Sequence, residues 1–206
     1  MNKYFITGIG TDVGKTVVSA IVVEALNADY WKPVQAGELD HTDADRVQEL
    51  ISNKISKIHD FSYALRTPMS PHASAAIDGI VIDLQLIKEP QTTNDLVIEG
   101  AGGLQVPLNE QHTMLDLIKK EYKIIVVSKH YLGSINHTLL TINELRYNGF
   151  EVAGIVFNGN PHVSTEKIIE KMGKLSVIGR VLEEATIDKA VVKKYAKEFK
   201  LQLDRL

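Results

Sequence analysis

The sequence predicts an α/β fold: a mainly parallel β-sheet flanked by helices in three layers. Two observations carry this. Short β-rich apolar runs alternate with amphipathic, helix-like segments along the whole chain. Several of those runs, such as "DLVIEGAGG" and "KIIVVS", read as buried strands with apolar centres.

The elements follow in order. "KYFITG" (3–8) reads as a strand that ends in a glycine-rich loop, and a helical pattern runs from Lys15 to about Asn27. "YWKPV" (30–34) is a second short strand, with Pro33 at its end because proline cannot donate to a ladder. "TDADRVQELISN" (42–53) reads as a helix with Thr42 as its N-cap. The stretch from about 56 to 80, containing "TPMSPHASA", reads as a long functional loop with short helical pieces. "DLVIEGAGG" (95–103) and "KIIVVS" (123–128) are strands. "SINHTLLTINELRYNG" (134–149) is a helix with a glycine stop. "EVAGIVFNGN" (151–160), a helix near 163–173, "LSVIGRV" (175–181) and a helix from about 188 complete the alternation. No repeat or linker divides the chain, so residues 1–206 are expected to form a single domain.

Composition narrows the function classes. Hydrophobic residues make up 44% and charged residues 24%, and the net charge is -3. No basic excess draws the chain to nucleic acid or to an anionic membrane. The absence of cysteine removes disulfides, thiolate metal sites and thiol nucleophiles, and it suits the cytoplasm. The seven histidines show no metal-ligand pairing. No signal peptide or membrane span is expected.

The chemistry concentrates where strands end. "TGIGTDVGKT" (7–16) follows a strand and opens a helix, the context that makes a phosphate-binding loop credible. It places Ile9 where the strict pattern has glycine. The backbone N–H groups of Asp12, Val13, Gly14, Lys15 and Thr16 would face phosphate oxygens, Lys15 would add charge, and the Thr16 hydroxyl would ligate Mg²⁺. Glu99, at the end of the buried run 96–98, stands where phosphate-loop proteins carry an acidic metal ligand, and the glycines after it allow close approach of a ligand. Asp43 reads from position alone as a helix-start acid. Lys32 is either an edge lysine in solvent or a strand-end cation that meets an anion. Gly133 and Ser134 open a long helix whose free N–H groups suit a carboxylate, or which Ser134 simply caps.

Six motifs, "TGIGTDVGKT", "YWKPVQAG", "TDAD", "TPMSPH", "EGAGGLQVPL" and "YLGSINH", occur in an order and at spacings that resemble dethiobiotin synthetases. The resemblance runs from residue 4 to about residue 160. It implies a phosphate-loop ATPase fold and a cytoplasmic homodimer. The implied reaction closes a ureido ring on 7,8-diaminononanoate with CO₂, ATP and Mg²⁺, in biotin biosynthesis. Lys32, Lys15 and Thr11 would carry catalysis. Nucleotide would be held by the loop from Asp12 to Val17, by Asp43, by Glu99 to Gly102 (with Gly100 and Ala101 between them), and by Asn158 reading adenine. Thr11, Lys32, Ala36 and Ser70 would line the substrate site, and Leu132, Gly133 and Asn136 would hold the substrate carboxylate across the dimer interface. Thr16, Asp43 and Glu99 would bind the metal.

Three positions depart from the family pattern. Ala36 replaces a usual serine or threonine, so one hydroxyl contact is absent or replaced by water or by Gln35; Asp12 stands where glutamate is frequent, and 181–184 read "VLEE" where a proline is usual. The rival reading is a nucleotide-switch ATPase of the partitioning type, but Gly8-Ile9-Gly10 lacks the additional lysine common there. A second rival is a homologue that binds nucleotide without turnover.

Overall fold

The computed structural model describes all residues, Met1–Leu206. In chain order the strands are β1 (Lys3–Gly8), β2 (Asp29–Trp31), β3 (Val34–Ala36), β4 (Ile58–His59), β5 (Tyr63–Leu65), β6 (Leu96–Glu99), β7 (Lys123–Lys129), β8 (Val152–Asn158) and β9 (Val177–Val181). The α-helices are α1 (Lys15–Leu26), α2 (Asp43–Leu50), α3 (Pro71–Asp78), α4 (Ser134–Tyr147), α5 (Val163–Gly173) and α6 (Lys189–Leu203).

Seven strands form one sheet in the order β4-β2-β6-β1-β7-β8-β9, and every pairing in it is parallel. β3 and β5 form a separate two-stranded parallel sheet. Helices connect these parallel strands, as crossovers between parallel neighbours require. α1 packs with α2 and α6, and α4 packs with α5. Ile124 to Val127 of β7 are wholly buried, the signature of a strand covered on both sides. The chain leaves β1 toward β2 on one side of the sheet, whereas β7 leads outward to β8 and β9 on the other. Sheets with such a reversal bind ligands beyond the carboxyl ends of their strands.

Three expectations need correction. The run 30–34 is not one strand: it breaks at Lys32–Pro33, and Val34 resumes in the small sheet beside Tyr63. Proline lacks the N–H the ladder needs, so the break turns Lys32 away from the sheet. Residues 56–80 contain the expected short helical piece, α3, but also two short strands, β4 and β5, that the loop reading did not include. The runs are too short for a periodic pattern to register. The helix expected over 42–53 ends at Leu50.

Candidate active site

The loop after β1 is held by its own backbone. Asp12 (φ 55) and Gly14 (φ 94) are both left-handed, a turn conformation that aims successive N–H groups into one concavity. Gly14 caps α1 with no side-chain hydrogen bond, leaving the first N–H groups of the helix to a ligand. Gly14 is required twice over. Its φ disfavours any side chain, and an added Cβ would lie 2.3 Å from Asn158 Nδ2. Lys15 Nζ donates to Gly10 O at 2.9 Å and folds back over the loop. Burial lowers the Lys15 pKa against the opposing pull of Glu99, and the neighbouring Lys32 lowers it further.

Four side chains from separate elements converge above the loop. Thr16, in the first turn of α1, lies 3.0 Å from Asp43 Oδ1 and 2.9 Å from Glu99 Oε1. Lys32 Nζ pairs with Asp43 Oδ2 and lies 3.4 Å from Glu99 Oε1. Lys32 is buried, so the edge-lysine reading is excluded; its partners here are carboxylates. Burial alone would lower the Lys32 pKa, but Glu99 and Asp43 outweigh it and raise it. Burial likewise works to raise the Asp43 carboxyl, and the Lys32 ammonium holds it below its ordinary value instead. Asp43 starts α2 as its position suggested, yet it faces the pocket. The capping is done by Thr42, which forms a reciprocal box with Asp45.

A cavity of about 740 Å³ opens here. It brings together Thr11, Asp12, Gly14, Lys15, Thr16, Val17, Lys32, Ala36, Asp43, Ser70, Glu99, Ala101 and Gly102. Val13 is buried under the loop, and its carbonyl accepts from Asn158 Nδ2 at 2.8 Å. Gly100 packs against Phe5, whose ring carbons would lie 3.3 Å from an added Cβ. Leu132, Gly133 and Asn136 lie outside this cavity. Leu132 is 104% exposed, and Gly133 (φ 102) opens α4 without a side-chain cap. The capping reading of Ser134 is therefore corrected: Ser134 is the first helical residue and is buried.

Sequence reasoning singled out Gln35 beside Ala36 but missed Arg46, Glu38 and Tyr30. Arg46 and Glu38 pair at 2.9 Å on the cavity rim, and Glu38 is itself left-handed at φ 53. Gln35 lines the cavity, and its Nε2 donates to Gly37 O at 3.0 Å. Tyr30 lies behind Glu99 and donates to Glu99 Oε2 at 3.0 Å. Burial, then the charge of Glu99, raises the Tyr30 pKa well above its ordinary value, so it remains a phenol.

A strand, a glycine-rich loop, a helix and a strand-end acid beside the loop's lysine and threonine define a phosphate-loop ATPase. The comparisons agree. The MinD cell division protein of Aquifex aeolicus superposes with a TM-score of 0.60 at 12% identity, covering 100% of this chain and 98% of that one. The septum site-determining protein MinD of Pyrococcus horikoshii, complexed with Mg-ADP, gives 0.59 at 14% identity, covering 97% and 89%. At such identities these share the fold alone. An AAA domain family model matches residues 2–191. The ATP-dependent dethiobiotin synthetase BioD of Christiangramia forsetii is 58% identical over 201 residues, 98% of this chain and 97% of its own. That of Cytophaga hutchinsonii is 51% identical over 198 residues, 95% and 96%. The chain belongs to the dethiobiotin synthetase family.

Proposed function

We propose that this chain carries out ATP-dependent carboxylation and ring closure of 7,8-diaminononanoate with CO₂, giving dethiobiotin, ADP and phosphate. The observation that carries this reading is the convergence of Lys15, Thr16, Lys32, Asp43 and Glu99 on one cavity that Thr11 and Ser70 also line.

The reaction has three bond-making steps. One substrate amine attacks CO₂, forms an N–C bond and loses a proton, giving a carbamate. A carbamate oxygen attacks the γ-phosphorus, and the bond to the ADP oxygen breaks. The second amine attacks the carbamoyl carbon, loses a proton and expels phosphate. The carbamate and the γ-phosphate are both anions, so their approach needs fixed positive charge. Lys15 and Lys32 supply it from buried positions, where charge is most effective. Thr11 sits at the crown of the loop, where both reacting groups would meet it. Ala36 brings no hydroxyl to the cavity, and the neighbouring Gln35 is the polar side chain nearest in sequence to take its place.

The donor set suits Mg²⁺. Thr16 has one hydroxyl proton for two carboxylate oxygens, and two carboxylates plus one hydroxyl are the few hard ligands Mg²⁺ takes from protein. Bound there, Mg²⁺ would neutralise charge on the β- and γ-phosphates. Asn158 keeps one N–H and its carbonyl oxygen for an adenine edge beyond its bond to Val13. Its neighbour strand ends at Val181, whose carbonyl accepts from Gly159 N at 2.8 Å, so the "VLEE" tail borders the same region.

We assign the start of α4 at Leu132, Gly133 and Asn136 to the substrate carboxylate of a partner copy. The exposed Leu132 and the uncapped helix start support this. The same reading takes the chain as one domain, on its single contiguous core, and as a cytoplasmic homodimer that binds neither nucleic acid nor membrane. No helix is long and apolar enough to cross a membrane. Sedimentation of the purified chain tests the dimer: a sole species of 22.9 kDa would refute it. The function is tested by incubating the protein with the diamine, bicarbonate and MgATP. Diamine-dependent phosphate release with dethiobiotin as product is expected, and phosphate release that ignores the diamine would refute it.

A further inference from the structure

The two oxygens of Glu99 are not equivalent. Oε1 faces the cavity side, 2.9 Å from Thr16 Oγ1 and 3.4 Å from Lys32 Nζ. Oε2 accepts from the Tyr30 phenol at 3.0 Å. Tyr30 is 0% exposed, sits in β2 beside β6, and is not among the residues that line the cavity. It therefore touches no ligand of the pocket. The phenol is held by the sheet itself, since Tyr30 pairs in register with Val97, two residues before Glu99. The carboxylate is 1% exposed and ends a wholly buried strand. Rotating it would strand both Oε2 and the phenol without partners in a dry interior, which is costly for each group.

A carboxylate fixed in this way offers one oxygen to a cation. That matters because divalent cations differ in what they accept. Mg²⁺ demands near-octahedral geometry with one oxygen per ligand, whereas Ca²⁺ readily takes both oxygens of a carboxylate at longer distance. Groups behind a ligand commonly set its orientation and affinity. We propose that Tyr30 is a positioning residue that commits Glu99 Oε2, makes Glu99 a one-oxygen ligand, and so sets the site's preference for Mg²⁺ over Ca²⁺. The inference rests on the reading of Glu99 as a metal ligand.

The test uses the full chain and Tyr30→Phe, which keeps the ring and removes one oxygen. Binding of a non-hydrolysable ATP analogue is measured by calorimetry with Mg²⁺, with Ca²⁺ and with chelator. In Tyr30→Phe, Mg²⁺-supported affinity should fall about 10-fold, and the Mg²⁺/Ca²⁺ affinity ratio should narrow. Metal-free nucleotide affinity should stay near wild type, while the unfolding midpoint falls because Glu99 Oε2 loses its buried partner. A purely structural tyrosine would move the midpoint and leave the ratio alone, and that result overturns the proposal. A wild-type protein that binds the analogue no better with Mg²⁺ than with chelator overturns instead the metal reading beneath it. Should the variant not fold, infrared difference spectra of the wild type decide. Mg²⁺ addition should give the wide carboxylate splitting of one-oxygen ligation, and a two-oxygen signature refutes the proposal.

Discussion

Lys32 holds together a site that would otherwise repel itself. Asp43 and Glu99 both face it, and Thr16 has only one proton to offer them. Lys32→Ala should therefore retain nucleotide binding with Mg²⁺ but lose about 100-fold or more in turnover, since the charge acts where the transition state is most anionic. The same variant in chelator should lose about 3 kcal/mol of stability, because the buried Glu99 and the half-buried Asp43 lose the cation between them and only Asp43 keeps another, Arg46 at 3.4 Å. Denaturant unfolding with and without Mg²⁺ checks this, and a metal-independent loss would contradict it. Gly14→Ala combines a left-handed backbone with a contact at 2.3 Å on Asn158. It should weaken nucleotide binding while the rest of the fold persists, as circular dichroism and calorimetry would report. The sequence made Lys15, Thr16, Lys32 and Glu99 visible because each stands at the end of a readable run. Tyr30 was not visible: a buried tyrosine in a short strand reads as core until the strand beside it is known. Arg46 and Glu38 were hidden for another reason. Both lie on polar segments, and only the turn at Gly37–Glu38 folds them back toward each other.

At the scale of elements, one close helix–sheet contact and one helix cap set how the helices sit. Gly179 of β9 admits the Phe199 ring of α6, and an added Cβ would lie 2.1 Å from it. Gly179→Ala should destabilise the chain by about 1–3 kcal/mol. MgATP affinity should be little changed, because β9 meets the site only through the Asn158 end of β8. Denaturant melts paired with calorimetry test both halves. The cap of α2 is the second device. Thr42 and Asp45 satisfy the helix start, which frees Asp43 to face Thr16 and Lys32. That division of labour was half legible. "TDAD" announced a helix start, but a single acidic residue there serves the helix dipole as readily as a ligand, and only the packing of α2 against α1 decides. The short strands between 58 and 65 were illegible because strands of two or three residues carry no period. Their existence depends on pairings between Val34–Ala36 and Tyr63–Leu65, distant in sequence.

For the whole molecule, acid stability has a named source. Glu89 is partly buried, which would raise its pKa, yet Lys119, Lys3 and Tyr122 pull it from 4.5 to about 2. Because the folded value is depressed, its contribution is complete above pH 4.5 and is lost as pH falls toward about 2. Glu89→Gln should flatten the fall in stability across that window, and an unchanged acid limb would refute the assignment. The strand–helix alternation made the global architecture legible, since parallel sheets require it. The choice between a ligase and a nucleotide switch is not a matter of fold, because MinD proteins share the architecture at 12–14% identity. It rests on the side chains at the strand ends and on the family they define. The most direct measurement is a turnover assay with 7,8-diaminononanoate, bicarbonate and MgATP, following product and phosphate together. The structure and its family predict dethiobiotin and phosphate in equal amounts, with no release when the diamine is omitted. Phosphate release at the same rate without the diamine, and no dethiobiotin, would contradict the central claim.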